Sequence, residues 1–203
     1  MKMVLLGMLL WGQWAMPVQA FAEDAEEQPA RQQSMNASYR QQLLALADVD
    51  QKIRAEIRGA VTAQQLQANQ GAAKEMAMRL VASQRENQAA LSRLIDQFGF
   101  PDIPSVGEDG AHAGFLIAQH STDRAFRDDF LQKMQAAAQR GAYSTADLAL
   151  FIDRNLIMSG KPQRYGTQRR ADGSLFELEN PAELKKRRAE AGLPEEEDSV
   201  RGR

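Results

Sequence analysis

Asp50 is a carboxylate set among apolar neighbours. With Tyr39 at zero and each residue advancing about 100°, Leu43, Leu46, Ile53 and Ile57 fall within about 40° and Asp50 at about 20°. Arg54, four residues on, lies at the edge of that stripe and is spaced to reach the carboxylate. Asn87 falls between Leu80, Leu91 and Leu94 on a second stripe, and His120 shares a face with Ala113, Leu116 and Ile117. The run LALFIDRNLIM, Leu148 to Met158, is apolar on most sides and carries Asp153 and Arg154 as its charges. An unpaired buried ion is costly, so these two must be paired or border a polar cavity. The donor-rich segment GKPQRYGTQ, Gly160 to Gln168, follows at once.

Three kinds of chemistry suit this set. In a hydrolase or lyase, His120 would be general acid or base, because its pKa lies nearest neutrality. Asp50 or Asp153 would orient it, Arg54 or Arg154 would stabilise developing negative charge, and Tyr165, Thr167 and Gln168 would hold substrate. In a binding module, Arg54, Arg154, Lys161, Arg164, Arg187 and Arg188 would offer donors to a carboxylate or phosphate, from an envelope component or an anionic small molecule. In a purely structural reading, GKPQRYGTQ plugs the end of a helical bundle and the interior polar groups satisfy one another. A nucleophile elbow is excluded by the lack of G-x-S-x-G. No zinc-thiolate site or catalytic thiol is possible without cysteine. His112 and His120 are eight apart with no H-x-x-x-H, so no metal and no cofactor is assigned, although His120, Asp50 and Asp153 would be chemically acceptable ligands.

Helices are needed to position these residues. Apolar periodicity begins near Asn36 and weakens at Gly59; Gly71 marks a break before a second helix from about Ala73 to Phe98, with Gly99 as its C-terminal glycine. FPDIPSVG reads as a loop, because Pro101 and Pro104 disfavour helix in the residues before them. A short helix from about Asp109 to His120 follows, then one capped by Ser121 or Thr122 that carries Phe126, Phe130, Met134 and Ala137 and ends at Gly141. Ser144 and Asp147 form a capping box for a helix to about Ser159, whose all-round apolarity suits a central position. ADGSLFELEN suggests a small β-hairpin or extended strand, and ELKKRRAEAG a last short helix. The fold expected is mainly α, a single-domain helical bundle with that β element near the C-terminus.

The totals agree with one domain. The chain has 203 residues, is 43% hydrophobic and only 6% aromatic, and its formal charge of −2 offers no basic face for nucleic acid. MK followed by MVLLGMLLWGQWAM, with Ala20-Phe21-Ala22 before Glu23, reads as a cleavable signal peptide. Residues 1–22 are therefore expected to direct export to the periplasm or the extracellular space, leaving no stable membrane anchor. Residues 23–35 read as a polar linker, 36–194 as the helical domain and 195–203 as a charged flexible tail.

DQKIR (Asp50 to Arg54), QH (Gln119-His120), IDR (Ile152 to Arg154), GKPQRYGTQ and RRAEAGL (Arg187 to Leu193) occur in that order. Together they resemble the bacterial domain-of-unknown-function 6624 family over Leu43 to Leu193, the DR…GKPQxYGTQ element being the most specific. The resemblance implies a mostly helical, often exported domain. It marks Asp50, Gln51, Arg54, Asn87, His120, Asp153, Arg154, Gln163, Tyr165, Thr167 and Gln168, and implies no activity, cofactor or partner. The chain departs from the pattern after the histidine, where Thr122 and Arg127 replace an acidic residue and a glutamine. A role needing a carboxylate beside His120 would there fall to Asp123.

Overall fold

In the computed structural model the first helix, α1 (Ala37–Ala60), opens on Asn36, whose side-chain oxygen accepts the backbone N–H of Tyr39 at 2.9 Å. The structure describes residues 35–60, 70–170 and 172–195; the expected signal peptide, nearly all of the linker and the tail beyond 195 lie outside them. Tyr39, Leu43, Ala47 and Asp50 form the buried face of α1, while Ile53 and Ile57 are half-buried. The helix α2 (Gln70–Phe98) turns Ser83, Asn87, Leu91 and Leu94 inward. It begins at Gln70, so Gly71 sits inside its first turn rather than breaking the chain there.

The helix α3 (Ile103–His120) is longer than expected, and the proline loop is its first turn. Pro104 occupies a position whose N–H would have no intrahelical partner, so the missing donor costs nothing. Asp102 caps this turn by accepting from the Ser105 N–H at 3.1 Å. A kink follows at Gly107, whose φ of 76° lies in the left-handed region. Beyond it Gly110, Ala111, Ala113, Gly114 and Ala118 keep the helix slim, and α3 packs against α1, α2 and both helices that follow.

The helix α4 (Arg124–Gln139) is capped by Asp123, not by Ser121 or Thr122; its carboxylate accepts from the Phe126 N–H at 3.2 Å. Ser121 is buried and its hydroxyl donates to Gln88 instead. The helix α5 (Thr145–Met158) has the Ser144 cap expected, bonded to the Asp147 N–H at 3.1 Å. It is not the central helix. Met158 is 46% exposed and Leu148, Leu150, Ile152, Leu156 and Ile157 are half-buried, so α5 flanks α3 and α4. Phe151 meets Phe115 and Phe130 edge-on at 6.1 and 5.8 Å, which locks α3, α4 and α5 together.

After α5 the chain turns through Gly160, φ 69°, in a Schellman arrangement: its N–H donates to Ile157 and that of Lys161 to Leu156. The C-terminal segment has no full strand among the described residues. The expected β element consists of isolated bridges, Gln163 with Leu178 and Arg169 with Leu175. A 3-10 turn, Pro181–Glu183, leads into α6 (Leu184–Glu190), whose end is tied to the start of α5 by the Thr145 hydroxyl donating to the Ala191 carbonyl. The fold is thus mainly α, a helical bundle with a small extended element near its C-terminus.

Candidate functional site

Asp50 and His120 come from α1 and α3, seventy positions apart, and meet directly: His120 Nδ1 lies 2.7 Å from Asp50 Oδ2. The same oxygen accepts from Arg54 Nε at 2.9 Å and Gln51 Nε2 at 3.1 Å. Asp50 is 2% exposed, so its charge needs these donors. Burial pushes the carboxyl upward, yet His120 and Arg54 outweigh that and hold it below the ordinary aspartate range. Burial lowers His120, Asp50 pulls it back up, and the charges of Arg54 and Arg154 leave it below the ordinary histidine value. At neutral pH the consistent state is an ionised Asp50 accepting Nδ1–H from a neutral imidazole. The proton is assigned from this network, and Nε2 remains as the ring's basic nitrogen.

Arg154 reaches the same neighbourhood from α5. It is held below the usual arginine range by burial first, then by the charges of Arg54 and Arg127. No carboxylate among the described residues offsets them. Among the described residues Arg154 has no ion pair, and its Nε is buried without a hydrogen-bond partner; Arg54 Nη2 is in the same condition. Such groups in a native interior call for an explanation. The cluster of Asp50, Gln51, Arg54, His120 and Arg154 therefore has one carboxylate, whose Oδ2 serves three donors, and two buried arginine nitrogens without a partner.

Asp153, one residue before Arg154, does something different. It is wholly buried and accepts from the backbone N–H groups of Arg164, Tyr165 and Thr167 and from the Thr167 hydroxyl, at 2.7 to 3.1 Å. It anchors the GKPQRYGTQ loop and is not hydrogen-bonded to His120, so the orienting role falls to Asp50. Gln163 is also wholly buried, donating to the carbonyls of Gln168 and Phe176 while accepting the Gln168 N–H. The Gln168 side chain donates to the Thr167 hydroxyl. Arg188 donates to the carbonyls of Tyr165 and Pro194, and Arg187 pairs with Glu179 and Glu183 on the surface. The structure thus divides the sequence-derived set. Asp50, Gln51, Arg54, His120 and Arg154 form the cluster, whereas Asp153, Gln163, Thr167, Gln168 and Arg188 build and hold the loop.

A model of the family of unknown function DUF6624 matches residues 37–202. This chain belongs to that family. No curated protein and no solved structure matches it. The adjacent pair Asp153 and Arg154 thus has two jobs in this chain, Asp for the loop and Arg for the cluster. Asn87 of α2 sits beside Gln88, which bonds Ser121 and Asp123; its Nδ2 is buried without a partner.

Two residues with buried polar contacts were not among the candidate site residues. Arg127 is 5% exposed and clamps Asn155 of α5 and the Ser121 carbonyl, at 3.0 and 2.8 Å. Its spacing, three before Phe130 and seven before Met134, puts it on the apolar face of α4 and could have revealed it. Asn155, which carries a further unpartnered Nδ2, follows the DR pair directly. Elsewhere, a cavity of about 710 Å³ lies between the starts of α3 and α5 and the end of α6, lined by Tyr143, Asp147 and His112 among others. His112 Nδ1 is 2.9 Å from Asp147 Oδ2, which raises the His112 pKa against the opposing effect of burial. Among the described residues no group of three or more ligating side chains could hold a metal, and no helix is long and apolar enough to cross a membrane.

Proposed function

We propose that this DUF6624 chain is an exported protein that binds an anionic ligand, envelope-derived or small, at the Asp50–Arg54–His120–Arg154 cluster. The observation that carries this reading is Arg154, a half-buried cation whose buried Nε has no partner and which makes no ion pair among the described residues. Arginine does not shed its proton under these conditions, so the charge persists and an anion is its natural complement. Arg54 Nη2 is a second buried donor without a partner, on another helix. Thermal shift with sulfate, phosphate and acetate tests the proposal on the mature chain. An anion at one hundred times its dissociation constant should add about 2.7 kcal/mol of stability, and Arg154→Met should remove that gain. No stabilisation by any anion would overturn it.

A second reading, hydrolysis, is favoured by the 2.7 Å Asp50–His120 bond. Asp50 fixes the ring through Nδ1, leaving Nε2 to take a proton from a water attacking a bound ester and return it to the departing oxygen. Arg54 and Arg154 would stabilise the charge that develops on the attacked group. His120→Asn would then abolish turnover while leaving the fold intact.

A further inference from the structure

The cavity between the starts of α3 and α5 and the end of α6 has a wall rich in acceptors. At about 710 Å³ it has the size of a small-molecule site. Two of its hydroxyl groups donate back into the protein, Tyr143 to the Ala111 carbonyl at 2.6 Å and Thr145 to the Ala191 carbonyl at 3.1 Å. None of its lining residues is a lysine or an arginine, whereas Glu108, Asp109 and Asp147 line it together with His112. Asp109 is already occupied by Arg40 and by the Gly110 N–H. Glu108 is exposed and forms no ion pair among the described residues.

Glu108 and His112 lie one turn apart on α3, past the kink at Gly107, so their side chains are neighbours on one face. From α5, the buried Asp147 holds His112 through Nδ1 at 2.9 Å. That bond fixes the ring and leaves Nε2 as an acceptor whenever the imidazole is neutral. The ring is 49% exposed, so a ligand can reach it. Asp147 raises the His112 pKa, which marks this wall as a place that favours positive charge. The carboxylates and the imidazole are too widely spread to hold a metal, as no such group occurs among the described residues. Ile103, Ala111, Ala146 and Ala191 add an apolar lining, which suits carbon rather than a bare ion. We propose that this cavity is a second binding site, eight residues and about 12 Å along α3 from His120, for an organic ammonium ion whose N–H groups reach Glu108 and His112 Nε2.

Imidazole proton–nitrogen NMR reads this site directly, because the chain has two histidines and each is held by a different aspartate. Hexylammonium is the probe, at pH 8.5, where an alkylammonium keeps its charge. It should move the His112 ring signals along a saturable curve and leave those of His120 in place. Hexanol, which has nearly the same shape and no charge, and hexanoate should each bind at least about tenfold more weakly. Glu108→Gln should weaken hexylammonium by about tenfold at an unchanged melting temperature, since its side chain is exposed. Hexanol binding as tightly as hexylammonium, equal shifts at both histidines, or no saturable shift at His112 would each overturn the site. Saturation of the same signals by calcium chloride would overturn it in favour of a metal site. The solvent-exposed substitution is not needed for the decision, because the three probes are compared on the unaltered protein.

Discussion

Asp153 and Arg154 are adjacent and both charged, yet substitution should affect them in opposite directions. Asp153 accepts hydrogens from Arg164, Tyr165 and Thr167 inside a fully buried space. Asp153→Asn would turn an amide donor toward a row of N–H donors and weaken charge-assisted bonds. A loss of about 3 kcal/mol is expected, read as a lower urea midpoint at unchanged slope. Arg154 makes no hydrogen bond with the described residues that its removal would break. Arg154→Met replaces an unpaired, partly buried cation with an apolar chain of similar reach. The folded state should therefore be unchanged or up to about 2 kcal/mol more stable, while anion-dependent stabilisation disappears. A variant that gains stability and loses ligand response marks a residue kept for binding.

At the scale of elements, the organising member is α3, and its small residues explain why. Gly110 illustrates the fit: a Cβ there would lie 2.8 Å from the Val106 Cβ and 3.3 Å from the Arg40 side chain of α1. The kink at Gly107 lets the proline-led first turn and the remaining turns follow different axes while both stay packed. Gly107→Ala would add a left-handed alanine and a contact of 3.2 Å with Met35 Sδ. Gly160→Ala would add the same backbone strain in open space. The second should cost about 1 kcal/mol and the first more, a ranking that thermal melts of the two variants can check. The kink also explains why the sequence suggested a loop here. Pro101 and Pro104 do punctuate the chain, but a proline in a first turn punctuates by starting a helix. In the same way, α5 looked central because its sequence is apolar all round, although half of that surface is only partly covered.

For the whole molecule, pH acts through two histidine–aspartate pairs of opposite sign. His112 is raised by Asp147, so its contribution to stability is fully present below about pH 6.5 and is lost as pH rises through its higher folded value. His120 is lowered by burial, so the folded state favours the neutral ring; that contribution is present above about pH 6.5 and is lost as pH falls through its lower folded value. His112→Gln should therefore lower Tm more at pH 5.5 than at pH 8.5, and His120→Asn more at pH 8.5 than at pH 5.5. His112 is about half exposed, so solvent screening makes its effect the smaller of the two. Much of this arrangement was legible in advance. Helical spacing alone put Asp50, Asn87 and His120 on interior faces, because periodicity records which side of a helix is covered. It could not tell what each would meet there, since neighbouring residues such as Asp153 and Arg154 point about 100° apart and their partners depend on how helices cross. Arg127, read only as a departure from the family pattern, was not placed on the apolar face of α4, because its partner Asn155 lies on another helix. The Arg188 bond to the Tyr165 carbonyl has one more implication, concerning the order in which the molecule is assembled. The clasp that fastens the Asp153-held loop is made by α6, which is synthesised after that loop. A chain released before Lys185 would carry a half-fastened loop, and chymotrypsin should nick it first after Tyr165, a bond that the finished protein shields.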